Sequence, residues 1–431
     1  IHSAMIQIDG LFSNLPGDPL PKPSGSNAKR KFCTARASLR LLAASCLIVM
    51  IPSVYAQQST LAIDILYIEQ RQEHPPVLSN LVSWPEDEGE RGASLAIDDN
   101  NTTGRFLGQD YTLEPLIFEP DAAPQERNDR IRVELAKGAR LVVANLPAGD
   151  LSAIASMPEA ADDLLFNAQS MDKVLRNEQC QSNVLHTIPS RAMLSDALAQ
   201  YFYKRKWEEI FLIEGNTDKD KAFADALRAS IRKFGLDIVE SKAWIEDADM
   251  RRTASTEVPV FTQARDYDVV VVTDEDQDFS QYILYNTWLP RPVAGSAGLT
   301  PVVWSPVIEQ WGAAQLQSRF RKLAERDMTS RDYSNWAAVR SIGEAVTRTG
   351  SVSPDDIRNY VLSDDFELAG FKGAPLSFRT WNGQMRQSVQ LVHPRAVVAT
   401  APVEGFLHPV TELDTLGLDE PESRCEQFNQ P

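Results

Sequence analysis

The chain of 431 residues contains few of the residues on which catalytic and metal sites usually depend. It has 5 histidines and 4 cysteines, and no HExxH, Gly-x-Ser-x-Gly, Walker or Cys-x-x-Cys sequence. Acids alternate at residues 274–278, but Phe279 and Tyr285 stand where a calcium-binding EF-hand needs glycine and glutamate. We therefore expect that the chain is not an enzyme and that it binds neither a metal ion nor a cofactor.

An excess of basic residues is also absent. The formal net charge is −17, and residues 1–56 are basic, so the remainder is more acidic than the total. Binding to nucleic acid needs a basic surface that neutralises phosphates, so this composition argues against a nucleic-acid partner. Solubility is the simpler explanation of the acidic charge.

No apolar run is long enough for a permanent membrane span. The most apolar stretch, residues 41–51, follows a basic segment that starts at Lys29 and is followed by small residues at Val54 and Ala56. This order is typical of a secretory signal peptide, with cleavage after Ala56. Residues 1–28 fit no part of a signal and are interpreted as an upstream extension. The expected location of the mature chain is the periplasm.

Cysteines are too few for a disulfide-rich scaffold. Cys33 and Cys46 fall inside the predicted signal, which leaves Cys180 and Cys425. In an oxidising compartment such a pair predicts a disulfide, and the alternative is two free buried thiols. We favour the disulfide, because Cys425 lies in a polar tail that would otherwise fray.

Residues 207–240 carry the clearest structural pattern. An apolar run at 210–213 predicts a buried strand, and Thr217 and Asp220 have capping-box spacing. Apolar residues then recur at helical spacing from Phe223 to Phe234, and Gly235 precedes a second strand at 236–239. Strand, helix and strand in this order predict a βαβ unit with a parallel sheet.

Similar alternations extend through most of the chain. Strands are predicted at 61–68, 111–118, 141–144, 164–166 and 269–272, and helices at 89–99, 310–326 and 332–348. Residues 100–107 are predicted to be a turn-rich connector. The pattern predicts an α/β protein with two doubly wound parallel sheets.

Several segments resemble type I periplasmic-binding proteins of the branched-chain amino-acid-binding group. These are GASLAIDD at 92–99 and NWAAVRSIGEA at 335–345. Four further segments resemble substrate-binding proteins associated with PQQ-dependent alcohol dehydrogenase systems. They are DYDVVVV at 266–272, YNTWLPRPVAG at 285–295, WGAAQLQ at 311–317 and DTLGLD at 414–419.

The resemblance implies two lobes joined by a hinge that the chain crosses three times, near 186–190, 305–309 and 387–392. Lobe one comprises residues 57–186 and 308–388, and lobe two comprises 187–307 and 389–431. A ligand held between the lobes drives closure of the hinge.

The resemblance also implies positions for ligand contacts. In amino-acid-binding relatives, groups after the third and fourth strands hold the ligand carboxylate, but only Ser170 remains of their hydroxyl cluster, which argues against an amino-acid ligand. Tyr333 and Trp336 are candidates for an aromatic wall, although the stripe containing Trp336 is typical of a core. Exposed loop positions can equally be merely solvated. The candidate ligand-binding residues are Ala148, Gly149, Gln169, Ser170, Asp218, Asp274, Glu275, Ser296 and Tyr333.

The function implied is that of a monomeric periplasmic solute-binding protein, which delivers a small molecule to an ABC permease and its ATPase and is linked to PQQ-dependent alcohol oxidation. The alternative is a ligand-binding sensor or an accessory subunit of a periplasmic dehydrogenase system. A periplasmic hydrolase ranks third. The sequence does not identify the ligand.

Overall fold

The computed structural model describes residues 60–74, 84–244 and 250–429. The predicted signal peptide and upstream extension lie outside the described residues.

A five-stranded parallel sheet forms the first part of the described chain, in the order β2-β1-β3-β4-β5. Ile65 of the first strand lies opposite Leu113 on one side and Leu141 on the other. The elements are β1 (Leu61–Gln70), α1 (Glu90–Leu107), β2 (Gln109–Phe118), α2 (Pro124–Leu135), β3 (Leu141–Asn145), α3 (Ala148–Ala155), β4 (Leu164–Asn167) and β5 (Val184–His186).

A four-stranded parallel sheet follows, in the order β7-β6-β8-β9. The capping box predicted for Thr217 and Asp220 is present at the start of its second helix, and Gly235 adopts a left-handed conformation just after that helix. The elements are α4 (Arg191–Arg205), β6 (Glu209–Glu214), α5 (Asp218–Lys233), β7 (Asp237–Ala243), α6 (Met250–Phe261), β8 (Val269–Thr273), α7 (Ser280–Ile283) and β9 (Val293–Gly295).

The described residues from 300 to 429 add short antiparallel strands and three α-helices. β10, β13 and β14 form a three-stranded sheet, and β11 pairs with β12. The elements are β10 (Thr300–Val302), α8 (Ala313–Ala324), α9 (Ser330–Thr349), α10 (Pro354–Val361), β11 (Ser377–Phe378), β12 (Met385–Arg386), β13 (Val389–His393) and β14 (Ala396–Ala401).

Each parallel sheet is buried on both faces. All five residues of β3 and all five of β8 are buried, as expected for strands covered by helices on both sides. Helices α8, α9 and α10 share a core with the five-stranded sheet, whereas β13 and β14 share one with the four-stranded sheet. We call these assemblies the first half and the second half. The predicted α/β fold with parallel sheets flanked by helices is confirmed.

Three connections between elements pass from one half to the other. Residues 187–190 connect β5 to α4, residues 303–312 connect β10 to α8, and residues 387–388 connect β12 to β13. The exact lobe boundaries given above stay a prediction.

One local prediction was wrong. Residues 100–107 are not a connector, because α1 continues to Leu107. Asn100 is buried and its side-chain amide donates to the carbonyl of Val339 in α9, so packing between helices stabilises this polar stretch as helix. Within the ranges that the structure describes, no helix is both long enough and apolar enough to span a membrane.

Candidate functional site

A cavity of about 640 Å³ lies where loops from both halves meet. The first half contributes the segments after β1, β3 and β4 and the start of α9. The second half contributes the start of α4 and the loops after β6 and β8. Ligands of parallel α/β proteins bind beyond the carboxyl ends of the strands, and this cavity has that position in both sheets.

Another cavity of about 670 Å³ lies among α1, α8 and α9, and its lining comes from the first half alone. Similar volumes do not distinguish the two. The cavity between the halves is the better candidate, because only there would a ligand contact both halves at once. We call it the cleft.

Arg191, at the start of α4, joins the halves at one side of the cleft. Its guanidinium donates to Glu275 of the second half at 2.5 and 2.8 Å and to Asp172 of the first half at 2.9 Å. Its backbone N–H donates to the carbonyl of Met171. Burial raises the pKa of Glu275, and the bonds from Arg191 oppose that rise. Since both carboxylates occupy this guanidinium, Arg191 is a structural cation.

The loop after β4 is held in shape by Asn167. Its side-chain oxygen accepts from the backbone N–H of Ser170 at 2.9 Å, and its amide nitrogen donates to the Ser170 carbonyl at 2.8 Å. The fully buried Arg176 donates to the same carbonyl and to the carbonyl of Ile188 in the first connection. Burial lowers the pKa of Arg176 to about 9. The Ser170 loop is therefore fixed to the segment that joins the halves.

Arg331 enters the cleft from the first turn of α9. That helix begins with a capping box between Thr329 and Asp332, which fixes the position of the residues between them. The Arg331 guanidinium donates to the side-chain oxygen of Gln169, and its nearest carboxylate oxygens are those of Glu88 at 3.5 Å and Glu69 at 3.8 Å. Arg331 therefore pairs with two carboxylates, although both distances exceed the roughly 2.7–2.9 Å of a charge-assisted hydrogen bond.

Aromatic rings cover another part of the cleft. The rings of His74 and Trp84 stack at a centroid distance of 4.2 Å with an interplanar angle of 3°. Both residues are only partly buried, and both line the cleft. Burial lowers the pKa of His74, so this imidazole is neutral at neutral pH.

Five of the candidate ligand-binding residues from the sequence line the cleft: Ala148, Gln169, Ser170, Asp218 and Glu275. Gly149 is exposed and lies outside that lining. The role of each in ligand binding stays a prediction.

The three remaining candidates, Asp274, Ser296 and Tyr333, make hydrogen bonds within the protein. The Asp274 carboxylate accepts backbone N–H groups of residues 278–280, and the Ser296 hydroxyl accepts the N–H of Asp274. Tyr333 is fully buried, donates to the carbonyl of Gly370 at 2.7 Å and stacks on Trp304. Their hydrogen bonds shape a loop and a core.

Sequence reasoning did not select His74, Trp84, Asp172, Arg191 or Arg331. His74 and Trp84 lie in a loop rich in Pro, Glu and Asp, where single aromatic residues give no periodic signal. Arg191 and Arg331 each lie in the first turn of a helix, after the N-cap residues Ser190 and Thr329. An arginine one or two residues after a capping serine or threonine was therefore the sequence pattern that could have indicated them.

A disulfide joins Cys180 to Cys425, with Cα atoms 5.5 Å apart. Nearby, the backbone N–H of Gly417 donates to Asp196 of the second half at 2.8 Å, and that of Arg424 donates to Asn177 of the first half. The C-terminal tail therefore contacts both halves. Within the described residues, no group of three His, Cys, Asp or Glu side chains is arranged to hold a metal ion.

A family model described as periplasmic binding protein matches residues 85–283 of the chain. A search of curated proteins found no match to this chain.

Several solved structures share the fold. A branched-chain amino acid ABC transporter periplasmic ligand-binding protein from Burkholderia xenovorans is 14% identical, with 85% of this chain and 100% of that chain covered and a TM-score of 0.65. A leucine-, isoleucine-, valine-, threonine- and alanine-binding protein from Brucella ovis, in a closed conformation, is 15% identical, with coverages of 79% and 92% and a TM-score of 0.61. An ABC transporter solute-binding protein from R. palustris in complex with benzoate is 11% identical, with coverages of 85% and 99% and a TM-score of 0.61. Identities this low show a common fold and no more.

Proposed function

We propose that this chain is the solute-binding component of an ABC importer, which captures a small molecule in the cleft and closes around it. The observation that carries the proposal is that one cavity of about 640 Å³ is lined from both halves at the carboxyl ends of both sheets. A ligand there would contact both halves at once and so favour the closed form. The family model and the solved neighbours support the same function.

In this proposal, the three connections between the halves act as the hinge. Lobes with the boundaries 57–186 plus 308–388 and 187–307 plus 389–431 would rotate about them, as in other two-lobed binding proteins. The role is binding without catalysis, in keeping with the binding proteins among the neighbours.

The proposed location is the periplasm, with a permease and an ATPase as partners. The order of basic, apolar and small residues in 29–56 supports export, and the disulfide fits an oxidising compartment. The link to PQQ-dependent alcohol oxidation rests on the four sequence segments described above. A ligand-binding sensor or accessory subunit is the alternative, and it differs by binding ligand without supporting uptake.

The full chain, expressed in a Gram-negative host and recovered from the periplasm, tests the proposal. Its amino terminus should be Gln57. The recovered protein is then screened by thermal shift against alcohols, organic acids, amino acids and PQQ, because a ligand that binds the folded state raises the melting temperature. Addition of a ligand that raises the melting temperature should also reduce the radius of gyration measured by small-angle X-ray scattering.

Two variants at opposite ends of β3 locate the site. Ala148→Trp fills the cleft and should abolish stabilisation by the ligand, whereas Ala139→Trp, at an exposed position before β3, should retain it. Equal stabilisation of both variants would show that the ligand binds elsewhere. Uptake of the ligand by cells should require both this chain and the permease; binding without any effect on uptake would favour the sensor or accessory role.

A further inference from the structure

Most charged side chains of the cleft already have partners. Lys219 lies 3.1 Å from Asp276, and Arg71 lies 2.8 Å from Glu119. Arg191 is bound by two carboxylates, as described above. Asp218 is fully exposed and Glu73 is exposed. These groups balance one another or face solvent, so they do not require an ionic ligand.

Arg331 is different. Its side chain is 13% exposed, its guanidinium donates to the Glu88 carboxylate at 3.5 Å, and the Glu69 carboxylate lies 3.8 Å away. A charge-assisted bond between guanidinium and carboxylate is shorter, at about 2.7–2.9 Å. Within the part of the chain that the structure describes, the Nε of Arg331 has no hydrogen-bond partner. A partly buried cation with carboxylate contacts this long favours a ligand whose anionic oxygens bind it at a shorter distance.

The stacked rings of His74 and Trp84 set a second requirement. They offer a flat, neutral surface at the wall of the cleft, which Arg331 of the first half and Lys219 of the second half also line. The stack therefore shares the cleft with charged groups from both halves. Flat conjugated molecules gain from stacking on such a surface, whereas saturated rings of similar size do not.

We infer that the cleft binds a flat aromatic carboxylate, with its carboxylate at Arg331 and its ring system against the pair formed by Trp84 and His74. This inference rests on the proposed function and names the class of its ligand. Trp84 and Arg331 determine specificity, because one selects flat molecules and the other selects acids. The volume of the cleft is sufficient for a molecule of two fused rings.

Three probes of similar size separate the two requirements. 2-Naphthoate is flat and anionic, 2-naphthamide is flat and uncharged, and decahydro-2-naphthoate is anionic but not flat. Titration calorimetry of the exported protein should show 2-naphthoate binding about 10- to 100-fold more tightly than the amide, which is the contribution of a charge-assisted hydrogen bond. It should bind about 3- to 10-fold more tightly than the saturated acid.

Four variants assign these preferences to residues. Arg331→Met should remove the preference for acid over amide and keep that for flat over saturated rings, and Arg331→Lys should restore part of the lost preference. Trp84→Leu should show the reverse pattern. Arg348→Met, on the exposed side of α9, and Trp288→Leu, at an exposed tryptophan, are the matched controls and should keep both preferences.

The possible results are distinct. If wild-type protein binds the amide or the saturated acid as tightly as 2-naphthoate, or if the Arg331 and Trp84 variants keep both preferences, the inferred ligand class is wrong. It is also wrong if no probe binds. The proposed function is a separate question. It stands if another solute stabilises wild-type protein and the control Ala139→Trp but does not stabilise the cleft-filling variant Ala148→Trp. If no solute in the screen gives this pattern of stabilisation, the proposed function is wrong as well.

Discussion

The guanidinium of Arg191 donates to the carboxylate of Asp172 at 2.9 Å across the boundary between the two halves. The same guanidinium holds Glu275 of its own half with two further bonds. One side chain at the end of the first connection thus fixes the Ser170 loop of one half against the loop after β8 of the other. Arg191 thus belongs to the architecture of the cleft, whereas the inference above gives the ligand to Arg331.

Removal of Arg191 should destabilise the protein. In Arg191→Met, Glu275 would remain 13% exposed without its bidentate partner, and loss of one member of a buried ion pair costs on the order of 3–5 kcal/mol. Urea unfolding measures this free energy. Arg348→Met, which removes an exposed pair, should cost less than about 1 kcal/mol. Adding Glu275→Gln to Arg191→Met should recover part of the loss, and no recovery would contradict the pairing.

Asp163 should make the protein less stable as the pH rises. Its side chain is 3% exposed, and burial raises its pKa from 3.8 to about 6, although the Arg140 backbone N–H donates to it. Between these values the folded state binds more protons than the unfolded state, so the contribution of Asp163 is complete below about pH 4 and lost as the pH passes about 6. Asp163→Asn should therefore gain stability relative to wild type from pH 4 to pH 7 in urea unfolding.

The control for this experiment is Asp162→Asn, which removes the same formal charge at the adjacent exposed position. Its stability relative to wild type should change little over that range of pH. Parallel curves for wild type and Asp163→Asn would contradict the assignment.

Lys372 should show the opposite pH dependence. It is 2% exposed, its ammonium donates to Gln387 at 3.1 Å, and burial holds its pKa well below the ordinary value. Below about pH 10.5 the unfolded state therefore takes up protons before the folded state does, and the stability contribution of Lys372 is complete above about pH 10.5 and lost as the pH falls. Lys372→Met should be more stable than wild type at pH 7, by a margin that shrinks toward pH 10.

Thermal unfolding across this range measures the margin, with Lys322→Met at an exposed position as control. A margin that does not vary with pH would mean that the lysine keeps an ordinary pKa in the folded state.

Loss of the disulfide should weaken the fold. Cys180 and Cys425 are separated by 245 residues, and removal of a native disulfide costs about 2–5 kcal/mol. The double variant with serine at both positions should melt at a lower temperature, and dithiothreitol should lower the melting temperature of wild type but not of this variant. Mass mapping without reduction should show the two cysteines joined; two alkylated thiols in the exported protein would refute the bond.

Local features of the fold were predictable because their causes lie close together in sequence. The capping box at Thr217 and Asp220 and the buried strand at 269–272 depend on a few adjacent residues, and the structure contains both. The continuation of α1 to Leu107 was not predictable, because it depends on Asn100 bonding to Val339, 239 residues away. A propensity that favours turns is outweighed there by tertiary packing.

The candidate site was predictable only in outline. The sequence indicates that loops after parallel strands meet, and Gln169 and Ser170 lie at the cleft as expected. It does not indicate which polar residues serve the backbone, so Asp274 was selected although its carboxylate binds three N–H groups. Nor does it show that the nearest carboxylate oxygens lie 3.5 and 3.8 Å from Arg331, since these distances join separate segments of the chain.

The C-terminal tail has a consequence for any motion between the halves. It is hydrogen-bonded to the second half at Gly417 and covalently attached to the first half at Cys425. The three connections between the halves are thus accompanied by a link through the tail, where Arg379 of the first half also donates to Asp414 and to the carbonyl of Leu416. If the halves move as proposed, this link through the tail would restrain them, and reduction of the disulfide would remove its covalent part.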